Sequence, residues 1–206
     1  MANVTNVKSK FFGAVDGLDA DGISVAATIG SATTLTLGGT LTSGGSYTSG
    51  DNIGQLITIL SAGDDSGITF TVVGTDAVGD AQTEVVTGAD TTVATSSGYF
   101  NTVASITTSA STAAAVTAGV TATGTGTVFA GRTRIRGMQG LSGTSAGNLL
   151  FKNTSVTGTT LLTVPTGATA TELIEPYIPD NAVLFNAGAY VSFPAAAATV
   201  TVFYDG

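Results

Sequence analysis

Asp64-Asp-Ser-Gly-Ile-Thr-Phe-Thr-Val-Val-Gly-Thr-Asp-Ala-Val-Gly-Asp-Ala-Gln-Thr-Glu-Val-Val-Thr-Gly88 is the stretch whose reading decides the fold. Ile68, Phe70 and Val72 alternate with Thr69, Thr71 and Val73, so one face is apolar and the other mostly hydroxylated. A period of two belongs to extended chain, whose successive side chains point to opposite faces. Residues 76–80, with Asp at both ends and a Gly between, make a turn. Gln82, Glu84 and Val86 then alternate with Thr83, Val85 and Thr87, and the chain returns as the second strand of a half-buried antiparallel hairpin.

The same signature extends in both directions. Among 206 residues there are 38 Thr and 28 Gly. Branching at Cβ restricts χ1 and favours extended backbone, and Gly, Ser, Asn and Asp punctuate the β-branched runs at about the 8–12-residue spacing of sandwiches and barrels. No segment carries a helical stripe with caps, and the Ala-rich piece 110–118 is diluted by Ser and Thr. Strands are predicted at 23–29, 33–37, 56–60, 68–74, 82–87, 99–107 and 116–121, then at 148–152, 159–164, 171–174, 182–185, 190–193 and 199–204. Pro165, Pro176, Pro179 and Pro194 fall in the connections of the second set, as residues that cannot donate to a ladder should. The expected class is all-β: two antiparallel β-sandwich modules, Ig-like or jelly-roll-like, with an N-terminal arm.

Charge divides the chain. Residues 1–131 hold two basic and ten acidic side chains, and residues 132–206 hold four of each, giving the net −8. Aromatic residues are also concentrated from Phe129 onward. The expected division is an arm at 1–13, an acidic sandwich at 14–120, a Gly/Thr-rich joint at 121–147 and a C-terminal sandwich at 148–206.

Composition narrows the function. With no His and no Cys, the sequence contains no Ser-His-Asp or Cys-His triad, thiolate metal site or disulfide. A net charge of −8 argues against nucleic-acid binding, which rests on clustered cations displacing counterions. Glycosidase chemistry needs two carboxylates in a cleft; carboxylates are present, but the Trp and His common in sugar sites are not. Threonine arrays that bind ice require a constant repeat, which this chain lacks. No run has the roughly eighteen apolar residues of a membrane span. The expectation is a non-enzymatic protein with no cofactor, no nucleic-acid partner and no membrane partner.

Three local features stand out. Lys8 and Lys10, followed by Phe11 and Phe12, form a polar, partly basic arm ending in two aromatics, suited to anchoring on a partner; the alternative is a frayed terminus with both rings tucked into the first module. Arg132, Arg134 and Arg136 carry half of the positive charge within five residues. In an extended segment their guanidinium groups line one face, with Thr133 and Ile135 on the other. Such a strip either docks an acidic surface, for instance the acidic module of a neighbour, or serves as a solvated charged edge. Asp16, Asp19, Asp21 and Gly22 echo a calcium loop, but the spacing is irregular and the closing Glu is missing, so a solvated turn is the expectation. The cluster Asp64, Asp65, Asp76 and Asp80 reads as turn chemistry.

The N-terminal sequence Met1-Ala-Asn-Val-Thr-Asn-Val-Lys-Ser-Lys10 shows no apolar segment of a signal peptide, although the composition resembles that of surface-exposed β-proteins. Assembly into a virus particle released by lysis is one explanation that reconciles the two; a secretion signal removed before residue 1 is another, against which the initiating Met argues.

Asp19-Ala-Asp-Gly-Ile-Ser24, the run from Leu35 to Gly45, the run from Ile57 to Asp76, Gln82-Thr-Glu-Val-Val-Thr-Gly88 and Tyr99-Phe-Asn-Thr-Val-Ala-Ser-Ile106 together resemble a module recurring in tailed-phage structural proteins. Leu161-Leu-Thr-Val-Pro165, Asn181-Ala-Val-Leu-Phe-Asn-Ala-Gly-Ala-Tyr-Val191 and Val200-Thr-Val-Phe-Tyr204 resemble the β-sandwich ends of phage head and neck components. The resemblance implies a trimer of sandwiches with no catalytic residue. It implies a capsid decoration (cement) protein on the outer capsid surface of the virion, with the major capsid protein as its partner. The alternatives are a tail, neck or fibre component, or a glycan-binding adhesin module.

Overall fold

A computed structural model describes residues 6–194 and 198–206. Seventeen strands and no helix occur among them. In chain order the first nine are β1 (Lys8–Phe12), β2 (Asp19–Ala27), β3 (Thr42–Ser43), β4 (Ser46–Thr48), β5 (Gly54–Ser61), β6 (Thr69–Thr75), β7 (Ala81–Thr87), β8 (Val93–Phe100) and β9 (Thr102–Thr108). The rest are β10 (Val116–Phe129), β11 (Thr133–Leu141), β12 (Gly147–Asn153), β13 (Thr160–Thr166), β14 (Leu173–Ile174), β15 (Val183–Phe185), β16 (Ala189–Phe193) and β17 (Thr199–Asp205). All registered pairings are antiparallel. The all-β class read from the sequence is the observed one.

The chain forms two compact units. The acidic unit comprises Asp16–Ser49 and Gly54–Ala122. One of its sheets runs β2, the 116–122 part of β10, β5, β8; the other runs β3, β4, β9, β6, β7. The hairpin that opened the sequence reading is β6–β7, in the register Phe70↔Val86, Val72↔Glu84 and Gly74↔Gln82. Phe70, Val72, Val86, Val103, Ile106 and Tyr47 of one sheet meet Ile23, Ile57, Ile59, Phe100 and Val116 of the other in one apolar core. Burial of such side chains, at about 1.5–3 kcal/mol each, is the main force holding the two sheets face to face.

The terminal unit comprises the chain up to Val15, Gly50–Ile53 and Thr123–Gly206. One sheet runs β1, β17, β11, β14, with β15 also paired to β11; the other runs β13, β12, β16 and the 123–129 part of β10. Its core contains Phe12, Ile53, Ile135, Phe151, Phe185, Val191, Phe193 and Val202.

This division differs from the one expected. Lys8–Phe12 is not an arm but an edge strand, paired in the register Lys8↔Tyr204 to Phe12↔Val200. Residues 121–147 are not a joint: β10 and β11 pass through them as paired strands. Glycine there serves close packing rather than flexibility, since a Cβ on Gly126 would run into the Phe12 ring and the Asn52 carbonyl. The strand expected at 99–107 is two, because the chain changes sheets at Asn101: Tyr99 pairs with Leu56 and Val103 with Tyr47. Residues 33–37 contribute only an isolated bridge, Thr34↔Thr107, while Leu35 and Leu37 are buried.

Candidate functional site

The sequence-predicted contact residues all fall in the terminal unit, on or beside the sheet β1–β17–β11. Antiparallel register sorts them between faces. Phe12 pairs with Val200 on the inner face, where it is fully buried and packs on Phe193 with ring centroids 5.6 Å apart. It is therefore a core residue, and the expectation that it contacts a partner is corrected. Lys8 and Lys10 fall at alternate positions before it on the same edge strand. The Lys8 ammonium donates to the Gly206 carbonyl at 2.7 Å and lies 5.6 Å from the Phe129 ring centre. The Lys10 ammonium lies 5.9 Å from the Phe12 ring centre. Both gain the attraction of a cation for a π face.

Phe11 points the other way. Its partner in register is Thr201, which also pairs with Gln139. Two residues on, Thr199 pairs with Leu141, which in turn pairs with Leu173. Phe11, Leu141 and Leu173 thus share the outer face and line one open groove, at 44%, 46% and 54% exposure. A second groove on this unit is lined by Phe203, Gln139, Glu175, Tyr177 and Ile178, and Tyr177 is 88% exposed. Large apolar side chains left in water side by side carry an unspent hydrophobic driving force for association.

The three arginines have different fates. Thr133 and Ile135 are buried, as the alternation requires. Arg136, at a register shift between Ile135 and Gly137, is bidentate to Asp205: Nε donates to Oδ1 at 2.6 Å and Nη2 to Oδ2 at 2.8 Å. Its Nη1 donates to the Asp180 carbonyl at 3.1 Å. These bonds hold the Asp205 carboxyl below the usual carboxylate range, with Arg134 adding a weaker attraction. The guanidinium fork does meet a carboxylate, but one of its own chain. Arg132 and Arg134 line an open groove with Leu184, Asp205 and Gly206, and neither guanidinium has a hydrogen-bond partner among the described residues.

A polar cluster in the acidic unit was not foreseen. The Gln55 amide is fully buried. Its Oε1 accepts from Ser49 Oγ at 2.8 Å and from the Asp16 amide at 3.1 Å, while its Nε2 donates to the carbonyls of Asp16 at 3.0 Å and Thr121 at 2.6 Å. The Tyr47 hydroxyl lies 3.0 Å from both Gln55 Oε1 and Asp16 Oδ2. Burial pushes the Asp16 carboxyl up, against the lowering effect of the Tyr47 bond, and burial also pushes the Tyr47 phenol well above its usual value. Four segments are tied together with every bonding atom of the Gln55 amide engaged, an arrangement that fixes geometry rather than presenting a reactive group. The available signal was one amide in an apolar run, Ile53-Gly-Gln-Leu-Ile57.

The acidic loops are likewise occupied by protein groups. Asp19 Oδ2 accepts from Thr40 Oγ1 at 2.8 Å, Asp64 Oδ1 accepts from Ser66 Oγ at 2.6 Å, and Asp76 Oδ1 accepts from the amides of Val78 and Asp80. Among the described residues no group of three or more carboxylates is placed to hold a metal ion, and no helix is long and apolar enough to cross a membrane. The fold and these surfaces define an all-β protein in which Phe11, Leu141 and Leu173 share one exposed sheet face of the terminal unit, while other exposed apolar side chains, such as Leu18 and Val85, belong to the acidic unit. No protein-family model matches the chain, and no curated protein or solved structure does either.

Proposed function

We propose that the chain is a bacteriophage capsid decoration (cement) protein. It binds the outer surface of the head, as a homotrimer, and stabilises contacts between major capsid protein subunits. The observation that carries this reading is the outer face of β1–β17–β11–β14, where Phe11, Leu141 and Leu173 stand exposed on a sheet stiffened by a packed core. Rigid sheet surfaces bind without a large ordering cost, and several modest contacts on one particle add as effective concentration. The resemblance of the 14–120 region to tailed-phage structural modules supports the same reading.

The test is binding of purified protein to emptied, expanded capsids. Saturable binding is expected, and Phe11→Ser should weaken it by about tenfold or more with the melting temperature unchanged. Binding to tail complexes or host cells, with capsids ignored, overturns the proposal in favour of a tail component or adhesin.

A further inference from the structure

The two units differ in charge more sharply than the two parts of the sequence. All six Lys and Arg residues lie in the terminal unit, which also holds five carboxylates; the acidic unit holds nine carboxylates and no cation. Within the terminal unit the cations are unequally engaged. Arg136 is neutralised by Asp205, and Lys8 is held by the Gly206 carbonyl. Arg132 and Arg134 flank a groove whose apolar wall is Leu184, and the groove's one side-chain carboxylate, Asp205, is already satisfied on both oxygens by Arg136.

In the acidic unit most carboxylates are likewise engaged. Asp16 faces Tyr47, Asp19 accepts from Thr40, Asp64 from Ser66, and Glu84 from the amides of Ser97 and Gly98. Asp80 and Asp90 stand exposed with no hydrogen-bond partner for their carboxylates among the described residues, and of the two Asp80 lies at the tip of the β6–β7 hairpin. Two residues earlier is Val78, half exposed, on a turn held in shape by Asp76. The tip therefore pairs a free carboxylate with an apolar side chain, and the groove pairs two free guanidinium groups with an apolar wall.

We propose that the Arg132–Arg134 groove receives the 76–80 hairpin tip of a second copy of this chain, with Asp80 meeting Arg134 and Val78 meeting Leu184. The donor surface differs from the acceptor surface, so the contact is head-to-tail, the kind that closes into a ring such as the proposed trimer when the rotation between copies fits. This inference stands apart from capsid binding, which uses the groove beside Phe11.

The test is sedimentation velocity of the full chain over a concentration series at low and high salt. Concentration-dependent association that weakens with salt is expected. Arg134→Glu and Asp80→Lys should each lower the association constant by about tenfold or more. Mixing the two variants should restore association, because each supplies the element that the other has reversed, and so should combining both changes in one chain. Arg132→Glu serves in place of Arg134→Glu if that variant fails to fold by circular dichroism. A wild-type chain that stays monomeric at every concentration, variants that associate as well as wild type, or single variants that do not rescue each other on mixing would each overturn the proposal. Loss of self-association with capsid binding retained removes the trimer from the functional reading but leaves capsid binding itself intact, and the converse leaves this proposal intact.

Discussion

Gln55 shows how much one side chain can organise. Its amide joins β5 to the segment before β2, to the residue after β4 and to β10 through bonds to Asp16, Ser49 and Thr121, with Tyr47 alongside. Gln55→Leu keeps the volume but strands several buried donors and acceptors, and should cost more than about 3 kcal/mol in urea denaturation; Tyr47→Phe, which deletes one hydroxyl, should cost about 1–2 kcal/mol. Two carboxylates give opposite pH signatures. Asp205 is held below its usual range, so its contribution is present above that range and is lost as pH falls through the depressed value. Asp16 is raised, so its contribution is full below the usual range and is lost as pH rises through the raised value. In melting curves taken against pH, Asp205→Asn should flatten the acid limb and Asp16→Asn should remove the decline just above the usual carboxylate range.

At the scale of strands, the outcome depends on where each partner lies. The β6–β7 hairpin was legible because its alternation, its turn and its partner are contiguous. Residues 8–12 were not legible as a strand, because their partner is β17, at the far end of the chain, and no local pattern distinguishes an arm from an edge strand. Residues 99–107 read as one run of aromatic, β-branched and small residues, yet the chain changes sheets at Asn101; such a composition reports that a segment is extended, not which sheet it joins. The glycines of 121–147 suggested looseness, but at Gly126 the absent side chain makes room for Phe12. Gly126→Ala should therefore destabilise by about 1–3 kcal/mol, read as a lower denaturation midpoint. The candidate site was half legible. The alternation of Arg132, Arg134 and Arg136 with buried Thr133 and Ile135 was readable, but that Phe11 joins their sheet was not, and the Asp205 partner of Arg136 is 69 residues away. Removing residues 1–12 is not a clean test of anchoring, since it deletes a strand and a core ring. The informative contrast is Phe12→Ala, expected to cost about 3–5 kcal/mol, against Phe11→Ala, expected to leave stability within about 0.5 kcal/mol.

For the whole molecule, the decisive fact is that neither unit is a single stretch of chain. The terminal unit takes Phe12 and Val15 from the beginning and Ile53 from the short segment Gly50–Ile53, where Asn52 donates to the Phe11 carbonyl at 2.8 Å. A fragment of residues 123–206 lacks all three of these core residues. It should not give the dispersed amide spectrum or the cooperative thermal transition of the intact chain; a fully native-like spectrum would contradict the assigned core.

The backbone passes from one unit to the other four times, after Val15, Ser49, Ile53 and Ala122. A protease that cuts once, at any loop between strands, leaves at least three of these crossings intact, and each fragment then contributes strands to a unit that the other fragment also builds, so paired strands and a shared core hold the nicked molecule together. Secreted proteins commonly obtain that tolerance of damage from disulfides. This chain has no cysteine, and its hold on a nicked fragment is non-covalent: it rests on strand pairing and burial between segments distant in sequence, independent of the redox state of its surroundings.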